Sequence, residues 1–228
     1  METNERLLLT RQRSTGAVIS DGYKLFFTNI WTITKRTWIL AIVYAVACGL
    51  IGCHVCMNML PKMMTTDGMR LRLPDMWGEV GILAAYELLF LLMAVLIISQ
   101  VLSMFREHMA NGTITCHSVW RQVVPLKVRL KGFRKVFRHL GLLFAVLLVT
   151  FIISLIATLL MEAPAFYITE AHIEAQKSMA IGDPNGLPAS IGVLTFLAFA
   201  ISGFFQAYIH TSVLFPFYYA YGKMKFNT

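Results

Sequence analysis

LGLLFAVLLVTFIISLIATLLM, residues 140 to 161, runs for 22 positions without one charged side chain. A helix of roughly 20 apolar residues crosses the hydrocarbon core of a bilayer. A soluble helix of that length would carry a polar stripe along one face, and this stretch has none. It reads as a transmembrane helix. Three further runs read the same way: 38–57, 80–103 and 191–213, the last with room to continue to residue 221. Glu87 is the one formal charge in all four. The composition agrees, with 57% hydrophobic and 14% charged residues against roughly 25% charged in soluble domains. The expected fold is an all-α integral membrane protein, a single polytopic domain over residues 1–228 with four transmembrane helices arranged as two hairpins.

At the N-terminus, METNERLLLTRQRSTG offers only LLL as an apolar core. A secretory signal needs about 7 to 15 such residues, so the first apolar run is expected to stay as an anchor.

The charges give an orientation. Of the 20 Lys and Arg, six precede Trp38, three fall in 58–79, eight in 104–139 and two in the tail, while 162–190 holds Lys177 alone. Loops rich in Lys and Arg stay cytoplasmic. Both termini and the second loop are therefore expected inside, and the third loop, with Glu162, Glu170, Glu174 and Asp183, outside. A plasma (inner) membrane is the expected location.

Ahead of the third run stands PLKVRLKGFRKVFRHL, residues 125 to 140, with six Lys or Arg in sixteen positions. At about 100° per residue, Leu126, Leu130, Phe133, Phe137 and Leu140 share one line. Lys127, Lys131, Arg134, Lys135 and Arg138 fill another sector. The spacing predicts an interfacial amphipathic helix over 122–138, its cations on anionic lipid headgroups at roughly 1 kcal/mol each. No nucleic-acid partner is expected, since no recognition motif accompanies the charge. A second interfacial helix is expected over 18–36, capped by Ser20 or Asp21, with Ile19, Phe26, Ile30 and Ile33 on one face. Sliding it by 107 residues pairs Ile19 with Leu126 and Phe26 with Phe133, as an internal repeat would. Pro164 suits the first turn of a helix, so a separate outer helix is expected over 164–181, ended by GDPNG.

Within the spans, small and polar residues recur every four positions: Ala41, Ala45, Gly49 and Cys53; Thr150, Ser154 and Thr158; Ala198, Ser202, Gln206 and His210. Such stripes mark helix-packing faces. Glu87 is expected well inside the bilayer, where a carboxylate is costly unless neutralised, paired or hydrated. It joins Gln206, His210, Gln100 and Ser154 as a candidate proton or substrate pathway. The segment CHVCMNMLPKMM, 53–64, places Cys53, Cys56, Met57 and Met59 as candidate soft-metal ligands, suited to Cu(I) or to thiol exchange, although sulfur packing explains them as well. No other cofactor is expected.

No HExxH, GxSxG, GxxxxGK[ST] or dinucleotide fingerprint is present, and each of those carries a mechanism this chain would need to be a familiar enzyme. Three functional classes follow. The leading one is a non-enzymatic subunit or scaffold, with a membrane-protein partner or a second copy. The alternative is a small transporter or permease component using Glu87 and the Gln206/His210 stripe. The third is copper or thiol handling at the outer face.

Overall fold

The computed structural model describes residues 14–64, 77–111, 114, 140–180, 182 and 187–226. Every regular element among them is helical: α1 Thr15–Thr28, α2 Ile30–His54, a π-helical turn Val55–Met59, α3 Leu60–Met64, α4 Trp77–Asn111, α5 Leu140–Ala180 and α6 Ile191–Phe226. Four stretches are long and apolar enough to span a membrane: Ile30–Met63, Trp77–His108, Leu140–Met179 and Ile191–Tyr221. The basic segment 122–138, with Lys127, Lys131, Arg134, Lys135 and Arg138, lies outside the described residues, as does that half of the suspected repeat.

Helix boundaries differ from the sequence expectation in three places. The first helix begins at a Ser14 cap, whose hydroxyl accepts the Ala17 N–H at 3.2 Å, several residues ahead of Ser20 and Asp21. It also stops at Asn29 instead of running to residue 36. The Asn29 backbone N–H donates to the Leu25 and Phe26 carbonyls, and its side-chain amide donates to Leu25 again at 3.0 Å. Those bonds close α1, and Ile30 opens a new helix in which Ile33, seven residues after Phe26, is buried as Phe26 is. The buried face of α1 is Val18, Gly22 and Phe26, and Ile30 is exposed.

The third difference is at Pro164, which stands inside α5 rather than opening a helix of its own. Proline forfeits one backbone hydrogen bond within a helix, and neighbouring helices can compensate for that in a membrane bundle. The ending of α5 does follow the sequence: Gly182 adopts φ +83°, the left-handed region glycine enters freely, and its N–H returns to the Met179 carbonyl at 3.2 Å.

The chain divides into two compact units. Unit 1 comprises Met1–Ile39, Val95–Ala157 and Tyr208–Thr228. Its core joins Val18, Val146 and Ala220, with Leu142, Leu143 and Phe217 packed against them. Phe26 meets Phe215 edge-on at 5.2 Å. At Gly22 the backbone of α1 approaches that of Pro216 so closely that an added Cβ would lie 2.5 Å from the proline Cα. Unit 1 also buries an ion pair: Arg36, 2% exposed, holds Glu107 at 2.8 Å and donates to the Ser103 hydroxyl at 3.0 Å.

Unit 2 comprises Leu40–Ala94 and Thr158–Ala207. Here the small-residue stripe of α2 packs on α6, as the spacing predicts. Ala41 and Ala45 are buried, Gly49 lies under the Phe196 ring, and Gly52 under Phe199. Glycine is required at both, because each phenyl ring occupies the space a Cβ would take.

Candidate functional site

Glu162, expected in the third loop, is part of α5 because that helix continues through Pro164. Its carboxylate accepts a hydrogen bond from the Gln206 side-chain amide of α6. One position before it, the Met161 carbonyl accepts from the Ser202 hydroxyl at 2.9 Å. Ser202 and Gln206 are four residues apart and therefore share a face of α6. Both belong to the polar stripe noted in the sequence.

The third wall is α2. Gly203 sits so close to Cys48 that a Cβ there would lie 2.6 Å from its Sγ. This approach draws Cys48 up to Glu162 and Gln206. Together with Thr169 and Ser202 they line a cavity of about 220 Å³, otherwise bounded by Phe166, Phe199, Ala165 and Gly203. Among the described residues, Gln206 supplies the one hydrogen bond that Glu162 receives. A carboxylate offers about four acceptor positions, so the group retains capacity for a proton, a water or a small cation.

Hydrogen bonds further along unit 2 fix donors and acceptors in turn. The Thr169 hydroxyl donates to the Ala165 carbonyl at 2.8 Å. Its oxygen therefore remains an acceptor for the Cys56 thiol, 3.8 Å away. Thr195 likewise donates to Ile191 at 2.8 Å, which makes His172 Nε2, at 2.9 Å, the donor to its oxygen. Buried His172 is thus held with its proton on Nε2. A second polar group joins Glu79 to His54 at 2.6 Å and to Lys62, with the Asn58 amide 3.2 Å from the other ring nitrogen of His54.

The residues nominated from the sequence are dispersed. Glu87, expected well inside the bilayer, is exposed on α4. Both faces of that run are apolar, so its sequence could not show which side turns inward. Gln206 is in the cavity. Gln100 is buried and Ser154 half-buried in unit 1, where His210 is exposed. Of the candidate sulfur ligands, Cys53 donates to the Gly192 carbonyl at 3.4 Å and Cys56 faces Thr169. Met57 is exposed, whereas Met59 is buried. No three His, Cys, Asp or Glu side chains converge among the described residues.

Sequence reasoning missed Glu162 because the proline two positions later resembled a helix start. It missed Arg36 by counting it as a loop charge. The His54–Glu79 pair spans 25 positions and has no local signature. No protein-family profile, curated protein or solved structure matches this chain.

Proposed function

We propose that this chain is a multi-pass membrane component of permease type, in which Glu162 binds and releases a proton or a small cation. The observation that supports it is the Glu162–Gln206 pair in a cavity within the apolar spans. An ionisable side chain in that setting is costly to keep and usually marks an ion or proton route. This moves the transporter reading from Glu87, which is exposed, to Glu162. Gln206 orients the carboxylate, and Ser202, Thr169 and Cys48 offer the remaining polar edge. On this reading no bond is made or broken other than that to a proton.

Purified protein in liposomes with an internal pH dye provides the test. Glu162→Gln keeps the size and the hydrogen bond to Gln206 but removes the exchangeable charge. It should fold normally and lose at least tenfold in dye response to an imposed gradient. Gln206→Ala should lose part of it, and Glu87→Gln should match wild type. Equal flux from Glu162→Gln and wild type would end the proposal.

A subunit role is the second reading, and one observation favours it. The span Leu140–Met179 buries 11% of its most apolar stretch, against 28–44% for the other three. Phe144 and Phe151, seven residues apart, stand out along one exposed side. A photoreactive group at Phe151 should then crosslink to another protein; labelling of lipid alone would remove this reading.

We assign the termini to the cytoplasmic side of a plasma membrane, on the Lys and Arg distribution. In a variant lacking the four native cysteines, a cysteine near Gly112 should resist an impermeant thiol reagent applied to intact cells. One near Asn185 should react. The opposite pattern would invert the topology.

A further inference from the structure

Unit 1 holds a larger cavity, of about 410 Å³, between α4 and α6. Its walls are apolar and aromatic, and one cation lines it. Phe105 and Tyr218 form the deep wall, both buried, their rings stacked at 4.4 Å with 14° between planes. The Tyr218 hydroxyl is fixed by His108 Nδ1 at 3.0 Å, and Phe215 buttresses Phe105 edge-on at 4.9 Å. The wall is therefore built in advance, which lowers the cost of filling it. Leu102 and Tyr221, also in the lining, are both exposed, so the cavity opens to the outside of the helices.

Arg106 lines the same cavity, is exposed, and makes no ion pair or hydrogen bond among the described residues. Its position on the span Trp77–His108 is two residues from the end. There a guanidinium extends toward headgroups while its stem lies along apolar surface. The guanidinium fork matches phosphate oxygens in pairs. An apolar body and an anionic head are thus required of one occupant, and a free anion supplies only the second. A zwitterionic lipid supplies both, but its own headgroup cation offsets the phosphate charge and weakens the pull on Arg106.

We propose that this cavity is a binding site for one anionic phospholipid, with an acyl chain against Phe105, Leu214 and Tyr218 and its phosphate on Arg106. The proposal is independent of the Glu162 reading, since the two cavities share no residue.

Native mass spectrometry of the full-length protein in non-ionic detergent reads it directly. Phosphatidylglycerol and phosphatidylcholine of equal chain length are added in turn, and retained lipid is counted. Wild type should keep one phosphatidylglycerol in preference to phosphatidylcholine by about fivefold or more, the ratio that roughly 1 kcal/mol per cation gives. Arg106→Gln should lower the ratio about fivefold relative to wild type, and Arg106→Lys should keep most of it. Leu102→Trp, at an exposed position, should fill the mouth and reduce retention of both lipids. The basic segment 122–138 is the same in every variant, so its contribution cancels. Unchanged preference in Arg106→Gln overturns the proposal, as does undiminished retention in Leu102→Trp. Displacement of phosphatidylglycerol by millimolar inorganic phosphate also overturns it, because the site would then be one for free anions.

Discussion

Glu107→Ala is expected to cost about 3–5 kcal/mol, the range for removing one partner of a buried ion pair. The Arg36 side chain is 1% exposed and that of Glu107 11%, so no solvent replaces the lost carboxylate. Ser103 accepts from Arg36 through a neutral hydroxyl oxygen and cannot balance a full charge. Most of the loss is the desolvation of a guanidinium held where α2 and α4 of unit 1 meet. Arg36→Met combined with Glu107→Leu should recover the greater part, since apolar replacement of a whole pair is often neutral. The check is a double-mutant cycle on thermal unfolding in one detergent. If Glu107→Ala alone unfolds at the wild-type temperature, the pair has no structural weight.

Gly22→Ala should destabilise by about 1–3 kcal/mol, as overpacking does. The added methyl meets the backbone of Pro216 at 2.5 Å, and a backbone inside a helix cannot step aside as a flexible side chain can. Relief would require α1 to move off α6, opening the Val18–Val146–Ala220 cluster. Gly16 on the same helix has nothing within 4 Å of an added Cβ. Gly16→Ala is the control, and should be neutral or slightly stabilising through helix propensity. The two variants measured together separate contact from propensity. Equal unfolding temperatures for both would mean that the approach at Gly22 is not tight in solution.

How much of this was readable beforehand depended on which coordinate of a helix mattered. Length and apolarity placed four spans, since neither needs knowledge of neighbours. The stripe Ala41, Ala45, Gly49 was readable because small residues at a four-residue spacing have few uses in lipid besides close packing. Rotation about the axis was not readable for α4, whose two sides are equally apolar, so the sequence indicated a depth in the bilayer for Glu87 and not the side it faces. Position along the axis failed for Glu162, since Pro164 is as compatible with a first turn as with a helix interior supported by neighbours. Arg36 shows a third limit. A basic residue near a span end usually reaches solvent, and only the partner 71 positions away reverses that expectation.

The π-helical turn Val55–Met59 has a consequence for winding. His54 and Lys62 are eight positions apart. In unbroken α-helix, eight steps of about 100° leave a side chain roughly 80° past two full turns. The wider π turn takes fewer degrees per residue, and over five residues it retrieves most of that excess. His54 and Lys62 therefore come into phase, and both reach the one carboxylate of Glu79. The turn works as a phase shifter. Removing a single residue from 55–59 would rewind it to α-helix with His54 and Lys62 seven positions apart, about 700° and so still in phase, and Glu79 should keep both. Rewinding at full length would instead swing Lys62 about 80° away from His54.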